Sequence, residues 1–497
     1  SFNAKEFHST LPWTASTMLD TVKYINSYCK DVVAGSLRCD VHPRKGRILL
    51  AEKTFACGTK LFAERPLHLV AEAPKDPAYV RLKRLCKVKH FAHAPLWYWA
   101  ALSSLSGEDC AGCDATLPKI SVEQQQRLLM FFHPEPQMPS EDVLHIIEEF
   151  WGPDAPRALP LKLESLLAVW LLNCFEHSEE PVGFSTFFLP AFISHDCRPN
   201  CMWHYEGDSF ILRARCDISE GEEITVSYLS EESLLESIES RRAQLEATKH
   251  FLCNCNTCSL SLDPVRGFRC LGCQKGEIFF EFADQMRPCV AGACRLCGFL
   301  ATSAQANELV TQEAKVEECV QEWDRKEGTA AAYLTQDVAR RMEDHLAQLF
   351  SDKHWLRDRV GRHLVAYYEA AGDAKTALRF AERCAHFTSE VYPGFSALQA
   401  WSLETQGDLQ LRLGGFAVGP DSVEGPGDLK VVEEVCSIYD SSTRALEALF
   451  GPEHEFVVAI REKRNILRHL GTKKIPPTCA PAALNPLGWA AAPKDGD

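Results

Sequence analysis

Apolar and polar residues follow two different periods along this chain. A helical period begins the sequence, where apolar residues recur at spacings of four, three and four within 11–33. Two runs typical of β-strands follow at 47–51 and 60–63, and the Cys57-Gly58 turn between them predicts a hairpin. The chain therefore begins with a packing helix and a first β segment.

Helical periodicity then returns from about residue 76 to 174, interrupted by Pro-rich breaks, before a second β-rich stretch at 181–230. This order predicts a helical insert between two β segments. The alternating run 224–228 is expected to be a half-buried strand that ends at Tyr228. A further helix, EESLLESIESRRAQLEAT, leads to the cysteine-rich segment FLCNCNTC at 251–258.

The last third of the chain is helical again, from about 304 to 470. Gly372 and Gly407 occupy similar places in successive helical patterns, at a spacing near the period of tetratricopeptide (TPR) helix pairs. A few stacked helix pairs are therefore expected. The Gly/Pro-rich stretch 414–428 is predicted to be a loop, and residues from 473 onward form a Pro/Ala-rich tail without periodicity.

Length and charge narrow the class of protein. A chain of 497 residues exceeds the usual size of one core, so two to four domains are expected. The net charge of −15 disfavours a nucleic-acid binder and favours a basic peptide or protein partner. Neither a long apolar run nor a signal-peptide pattern is seen, so no membrane span is expected. The expected localisation is intracellular: cytoplasmic, cytoskeleton-associated or nuclear.

The 22 cysteines are locally clustered in a long chain, which favours reduced thiols with bound zinc over disulfides. Two C-x2-C pairs predict a zinc ribbon with the ligands Cys270, Cys273, Cys294 and Cys297. Cys289 is an additional candidate in that segment. The pair Cys110 and Cys113 has the same spacing, but no matching partner pair is found, and we interpret it as two free thiols.

A second zinc site is predicted from the C-x-C-x2-C motif. Cys253, Cys255 and Cys258 supply three thiolates, so a tetrahedral zinc needs a fourth ligand, for which Cys197 and Cys201 are the natural donors. Such a zinc would join two distant segments and leave no open catalytic position. The alternative interpretation is a set of free buried cysteines.

These motifs together resemble a known family. The segment HDCRPNC at 195–201, followed by EGEEITVSYL and C-x-C-x2-C, resembles the catalytic half of SET-domain lysine methyltransferases. A split SET domain with its first part at 46–67, a helical insert, a post-SET cluster and a C-terminal helical array resembles the SMYD type. Between 70 and 163 too few cysteines are present for the MYND finger of SMYD relatives. This lack and the additional ribbon make the chain similar to the apical complex lysine methyltransferases of apicomplexan parasites.

The resemblance implies S-adenosylmethionine on one face of the SET core and a narrow channel for the target lysine on the other. Tyr228 matches the family's catalytic tyrosine. The residues that match cofactor contacts are Lys45, Gly46, Arg47, Asn173, Ser194, His195 and Phe251. The implied post-SET zinc ligands are Cys197, Cys253, Cys255 and Cys258.

Four residues depart from the family pattern. Ser194 replaces an Asn and Asp196 replaces a Ser on either side of His195, and the shorter reach of Ser194 is expected to lower cofactor affinity. Ile48 replaces a glycine, so the cofactor loop is expected to follow a different path. Lys249 stands where relatives often carry a second channel tyrosine, which bears on the number of methyl groups added.

We therefore predict an α+β protein with a split β-rich SET core, a zinc-bound post-SET segment, a zinc ribbon and an α-helical TPR-like array. The expected bounds are 1–40 for an N-terminal helical extension, 41–75 for the first SET segment, 76–180 for the helical insert, 181–250 for the catalytic SET segment, 251–262 for the post-SET cluster, 263–303 for the ribbon, 304–472 for the TPR-like domain and 473–497 for the tail.

The predicted function is S-adenosylmethionine-dependent N-methylation of lysine in a basic segment of a protein substrate, with zinc at two structural sites. Activity is expected to rise toward alkaline pH, because the lysine amine must lose its proton before it can attack. The alternative is a SET-derived, catalytically weak scaffold that docks partners through its TPR-like array.

Overall fold

A computed structural model describes residues 15–282, 288–326, 330–392, 394–419, 423–425 and 429–469; the predicted tail lies outside them. The helices are α1 (Ala15–Val32), α2 (Pro77–Lys89), α3 (Pro95–Ser103), α4 (Val122–Leu129), α5 (Glu141–Phe150), α6 (Leu159–Asn173), α7 (Ile238–Lys249), α8 (Ser303–Asp324), α9 (Gln336–Leu349), α10 (Trp355–Ala370), α11 (Ala374–Val391), α12 (Ala397–Leu413), α13 (Leu429–Phe450) and α14 (Glu455–His469). The strands are β1 (Leu37–His42), β2 (Gly46–Ala51), β3 (Lys60–Glu64), β4 (His68–Ala71), β5 (Phe175–Glu179), β6 (Val182–Thr186), β7 (Ser194–His195), β8 (Cys201–Glu206), β9 (Ser209–Ala214), β10 (Thr225–Val226), β11 (Arg266–Arg269), β12 (Glu277–Ile278), β13 (Phe280–Phe282), β14 (Pro288–Ala291), β15 (Phe350–His354), β16 (Ala417–Val418) and β17 (Val423–Glu424).

The hairpin predicted between 47–51 and 60–63 is wrong, although both runs are strands. β2 pairs with β1, and β3 pairs antiparallel with β9. The Cys57-Gly58 turn is held by distant partners: the Cys57 N–H donates to Asp217 at 2.8 Å and the Gly58 N–H donates to the Ala214 carbonyl at 2.7 Å. These long-range hydrogen bonds separate the two runs into different sheets.

The β-rich core, β1–β10, consists of small sheets around one apolar centre. Three sheets are antiparallel, with orders β1-β2, β3-β9-β8 and β4-β6-β5, whereas β7 and β10 form a short parallel pair. The strand predicted at 224–228 is shorter than expected, because only Thr225 and Val226 pair with β7. Tyr228 consequently lies just beyond the strand and is free to face a cleft.

The helical insert comprises α2–α6 and lies between β4 and β5 in the chain. Three of its helices, α2, α4 and α5, begin at polar caps, and at Ser121 the side chain and Gln124 form a reciprocal capping box. Trp170 of α6 is fully buried and donates its indole N–H to the Ser104 hydroxyl at 2.8 Å. This packing fixes the end of α6, where Asn173 leads directly into β5.

The C-terminal array, α8–α14, is formed mainly by successive helices from α10 to α14, each packed on the next. The two glycines used to predict the repeat are not equivalent. Gly372 has φ of +76° and forms the turn between α10 and α11. Gly407 lies inside α12, where the ring of Tyr439 is so close that a Cβ would clash. One glycine ends a helix, and the other permits close packing between helices.

The ribbon segment joins the core to the array. β11 pairs with β12 on one edge and with β15, which lies between α9 and α10, on the other. Arg266 of β11 donates from Nε to the buried Glu313 carboxylate of α8 at 2.9 Å. Within the predicted loop 414–428, β16 and β17 pair as a small hairpin. Across the described helices, none combines the length and apolar character that a bilayer crossing requires.

Candidate active site and cysteine clusters

Four cysteines from two distant segments meet beside the β7–β10 pair. We call Cys197, Cys253, Cys255 and Cys258 the central cluster, whose four sulfurs all lie within 4.8 Å of one another. The sulfurs of Cys197 and Cys258 are 3.5 Å apart. Zinc–sulfur bonds of about 2.3 Å in a tetrahedron place sulfurs roughly 3.8 Å apart, so this group fits a structural zinc. Of the two donors left open by the sequence, Cys197 is the one that joins the group.

The second group, Cys270, Cys273, Cys294 and Cys297, is the ribbon cluster, and its sulfurs also lie within 4.8 Å of one another. The sulfur pairs Cys270–Cys297 and Cys273–Cys294 are 3.6 and 3.9 Å apart, which again fits tetrahedral zinc. Nothing is described of the Cys289 side chain. Cys110 and Cys113 belong to neither group in the described part of the chain.

Two arginines of α7 contact the central cluster, and nothing in their sequence pattern, apart from their place before the cysteines, predicts this role. Arg241 is 2% exposed and directs a guanidinium N–H toward the Cys258 sulfur at 3.8 Å. Arg242 donates from Nε to the Cys253 carbonyl at 3.0 Å. A zinc held by these four thiolates would carry a net negative charge, which the buried Arg241 cation would offset.

His195 connects the central cluster to Tyr228. The Tyr228 backbone N–H donates to His195 Nδ1 at 3.0 Å, and His195 Nε2 lies 3.3 Å from the Cys197 sulfur. Burial lowers the pKa of His195 to about 4, so the ring is neutral at physiological pH. Because Nδ1 accepts a hydrogen bond, the proton of the neutral ring lies on Nε2 and points to Cys197.

The Tyr228 side chain is the part of this group that opens to solvent. Its hydroxyl donates to the Ile193 carbonyl at 2.6 Å, and its side chain is 41% exposed. The ring centroid lies 5.4 Å from that of His195 and 6.3 Å from that of Phe251. Desolvation and the nearby Glu223 carboxylate raise the pKa of Tyr228, so its hydroxyl stays protonated. Three aromatic rings from different segments thus meet at one point.

Asn200, to which the sequence assigned no role beyond the motif, fixes the position of β10. Its side-chain carbonyl accepts from the Thr225 N–H at 2.9 Å, and its amide donates to the Glu223 carbonyl at 2.8 Å. Lys45 in turn pairs with the Glu223 carboxylate at 2.7 Å. The N-terminal loop is thereby joined to the strand that precedes Tyr228. Burial raises the pKa of Asp196 and lowers that of His195, and the nearby Lys45 charge lowers both pKa values.

The remaining predicted cofactor contacts are distributed over three elements. Gly46 begins β2 with φ of 74°, and the Arg47 guanidinium lies 4.8 Å from the centre of the Phe192 ring. Ile48 is buried in β2 opposite Asp40, in extended backbone. These positions place the first segment beside the turn that leads into Ser194 of β7.

Asn173, the predicted contact from the insert, has a partner already. Its side-chain amide donates to the carbonyls of Phe132 and Val169 at 2.8 and 2.9 Å. Asn173 and Tyr228 line one cavity, whereas the other predicted cofactor residues do not border it. The structure therefore brings His195, Tyr228 and Phe251 into contact but leaves Asn173 on the cavity side.

That cavity, of about 1670 Å³, lies between the β-rich core and the C-terminal array. The core side contributes Tyr228 and Trp203, and the array contributes Trp323, Tyr333 and Trp401. Its aromatic walls and its size suit a segment of a polypeptide. Tyr228 is thus placed between this cavity and the His195–Phe251 side.

Several curated proteins are similar to the central part of this chain. Residues 46–229 match the family model described as SET domain. Histone-lysine N-methyltransferase Smyd1 of Mus musculus is 29% identical over 161 residues, 29% of this chain and 32% of the relative. Histone-lysine N-methyltransferase SMYD3 of Homo sapiens is 37% identical over 79 residues, 16% of this chain and 18% of the relative. The alignment thus spans about a third or less of the length of these relatives.

One insect relative and one solved structure complete the comparison. SET domain-containing protein SmydA-8, isoform B, of Drosophila melanogaster is 40% identical over 99 residues, 19% of this chain and 21% of the relative. The crystal structure of the SET domain of LSMT bound to methyl-lysine and AdoHcy covers 94% of this chain and 98% of its own, at 12% identity and a TM-score of 0.31, too low to establish a shared overall fold. The family match and the relatives confirm that residues 46–229 form a SET domain with SMYD-type homologues.

Proposed function

We propose that this protein is an S-adenosylmethionine-dependent protein-lysine N-methyltransferase. The observation that carries the proposal is the position of Tyr228, which contacts His195 and Phe251 on one side and borders the large cavity on the other. A methyl transfer needs its donor and its acceptor to approach one point from opposite sides. The SET-domain match over residues 46–229 supports this assignment.

On the first side, the chain offers a surface suited to a sulfonium cation. S-adenosylmethionine supplies the methyl group as part of that cation. The rings of Phe251 and Tyr228 are 6.3 Å apart and nearly perpendicular, and aromatic faces attract cations. The residues on this side that would hold the cofactor are those the family resemblance implies: Lys45, Gly46, Arg47, Ser194, His195 and Phe251. Asn173, the seventh residue that the resemblance implies, lies on the cavity side.

The proposed role of Tyr228 is to position the acceptor amine. Its hydroxyl stays protonated and is held at the Ile193 carbonyl, which fixes the direction of the oxygen lone pairs. An amine oriented about 3 Å from the reacting carbon gains much of its rate from positioning alone. Since only the neutral amine attacks, activity is expected to rise toward alkaline pH.

Some of the carboxylates that border the cavity are already paired and others are available to a basic substrate segment. Glu231 and Asp358 are paired with arginines, at 2.9 Å in both cases. Glu176 and Glu232 also border the cavity, and no ion pair is formed by either among the described residues. We propose that these two side chains favour a lysine or arginine beside the target lysine.

Within the SET family, we propose the type that lacks a MYND finger, similar to the apical complex lysine methyltransferases of apicomplexan parasites. Segment 70–163 is fully described and contains the cysteines Cys86, Cys110 and Cys113, which belong to neither cysteine cluster. The ribbon cluster, by contrast, lies after the post-SET segment. The scaffold alternative predicts the same zinc sites without cofactor binding.

Calorimetric titration with S-adenosylmethionine, followed by transfer of a radiolabelled methyl group to basic peptides, tests the proposal. We expect binding heat and labelled lysine, and a rate lowered at least about 100-fold in Tyr228→Phe. Tyr367→Phe is the matched control, because Tyr367 is half-buried on α10 and does not border the cavity. Absence of binding heat in zinc-loaded protein would leave the scaffold alternative.

A further inference from the structure

Lys249 places a resident amine beside Tyr228. It is the last residue of α7, which ends because His250 adopts φ of 57° and returns its N–H to the Glu246 carbonyl. The Lys249 ammonium nitrogen, Nζ, lies 5.8 Å from the centre of the Tyr228 ring. Nζ also donates to the Leu172 carbonyl at 2.9 Å, which directs the side chain across the cavity wall. This amine therefore occupies the side of Tyr228 on which we place the acceptor.

The surroundings of Lys249 differ from those of an ordinary surface lysine. Its side chain is half-buried, its hydrogen-bond partner is a neutral carbonyl, and it forms no ion pair with any described carboxylate. Burial lowers its pKa, and the nearby Cys174 opposes this effect without reversing it. A half-buried lysine whose hydrogen-bond partner is neutral loses its proton more easily than an exposed lysine, and the neutral amine is the nucleophilic form.

Two other lysines near the site lack this combination. Lys45 is paired with both oxygens of the Glu223 carboxylate, at 2.9 and 2.7 Å. Lys326 borders the cavity from the array side and pairs with Glu322 at 3.0 Å. Lys249 is thus distinguished both by its position next to Tyr228 and by its neutral partner.

We propose that Lys249 is a methyl acceptor in cis, so that the protein modifies its own channel wall. This inference rests on the proposed function, since it uses the same methyl donor. The lone pair of neutral Nζ forms a new N–C bond to the methyl carbon as the C–S bond of the sulfonium breaks. The electron pair of that bond remains on sulfur, giving S-adenosylhomocysteine, and the methylated amine loses one proton to solvent.

Modification at this position changes the wall that a substrate lysine passes. A methylated Nζ is larger and has fewer hydrogens to donate. Its hydrogen bond to the Leu172 carbonyl is therefore weakened. Methylation of Lys249 therefore alters the room beside Tyr228. The extent of this modification would vary with the supply of the methyl donor.

The test uses the full-length, zinc-loaded protein incubated with S-adenosylmethionine and no peptide, followed by proteolysis and mass spectrometry. We expect one added methyl group on the peptide containing Lys249, formed at a rate independent of protein concentration, as a reaction in cis requires. The peptide containing Lys326 is the internal control and stays unmodified. Lys249→Arg abolishes the added methyl group, and Tyr228→Phe slows its formation at least about 100-fold.

A second measurement needs no cofactor. An amine-selective acylating reagent applied near pH 7 should label Lys249, because the reagent attacks the neutral amine and burial lowers the pKa of this lysine. Absence of label on Lys249 would contradict a neutral amine at this position. Binding of S-adenosylhomocysteine, measured by calorimetry, separates the two proposals. Binding together with peptide methylation, but with Lys249 unmodified, overturns this inference alone. Absence of binding overturns the proposed function and this inference with it.

Discussion

The two cysteine clusters each consist of four cysteine side chains, but they connect different parts of the chain. In the central cluster, Cys197 comes from the turn after β7, and the other three ligands follow α7. In the ribbon cluster all four ligands fall within 270–297. Cys197 is 2% exposed, whereas Cys297 is exposed. One cluster closes a long loop inside the core, and the other closes a short loop at the surface.

Because of this difference, the central cluster supports the candidate active site, whereas the ribbon cluster has a structural role. The central cluster contacts His195 through Cys197, and His195 in turn holds the backbone of Tyr228. β11 directly precedes the ribbon cluster in the chain and pairs with β15, which joins the ribbon to the array. Loss of zinc is therefore expected to have different consequences at the two clusters, although the local chemistry is the same.

The largest effect is expected from Cys197→Ser. A serine hydroxyl stays protonated at neutral pH and is a poor zinc ligand, so the segments joined at the cluster should separate. We expect zinc content to fall from two ions to one, binding of S-adenosylhomocysteine to be lost, and stability to fall by more than about 4 kcal/mol. Zinc analysis and denaturant unfolding measure these effects.

The matched control for this change is Cys201→Ser. Cys201 is equally buried and four residues away in the same motif, but it lies outside the central cluster. Both zinc ions should remain in this variant. Loss of an ion from Cys201→Ser would contradict the ligand set.

A smaller and local effect is expected from Cys273→Ser. The ribbon should lose its zinc at a cost of roughly 2–3 kcal/mol, while the contacts around Tyr228 persist, because no ribbon ligand touches them. Hydrogen exchange should rise in β11 and β15, and S-adenosylhomocysteine should still bind. Cys319→Ser on α8, outside both clusters, is the control. Loss of cofactor binding in Cys273→Ser would contradict the different roles of the two clusters.

A buried glutamate on the ribbon side provides a pH test of the comparison. Burial raises the pKa of Glu313, but nearby His354 and the Arg266 charge outweigh it and hold the pKa at about 2. Because this folded-state pKa is depressed, the stabilisation is present above about 4.5 and is lost as pH falls through about 2. Glu313→Gln should cost about 3 kcal/mol at pH 7 and less at pH 4. Unfolding of both proteins at each pH measures the difference.

Glu64 in the β-rich core should show the opposite sign. It accepts from the Tyr28 hydroxyl at 2.7 Å, but burial dominates and raises its pKa to about 7. The folded state then binds the proton more tightly, so stability falls as pH rises from about 4.5 to 7. Glu64→Gln removes this dependence, and its stability relative to the wild type should improve by up to about 3 kcal/mol between pH 4 and pH 8. A constant difference across this range would contradict the pKa.

The site was predictable where its chemistry depends on close spacing. The ribbon ligands and the C-x-C-x2-C motif follow from spacing alone. Asn200, Glu223 and Arg241 were missed, because an Asn, a Glu and an Arg are common residues whose roles depend on partners distant in sequence. Only the Pro-Asn of the motif and the acidic EGEE turn marked two of them.

The fold was predictable in its elements and less so in their pairings. The helical insert and the strands at 47–51 and 60–63 are present, yet β2 and β3 pair with different partners from those expected. Gly372 and Gly407 look alike in sequence and differ in function within the array. Periodicity reports which face of an element is buried, but it does not identify the element that buries it.

The sequence by itself determined the SET motifs, the four ribbon cysteines and the C-x-C-x2-C motif. Only the tertiary structure decided that Cys197 joins the central cluster, that Tyr228 lies between His195 and the cavity, and that Lys249 directs its amine to the same place. The physical reason is range. Ligand spacing and capping act over a few residues, whereas the site forms from segments that only the folded core brings together.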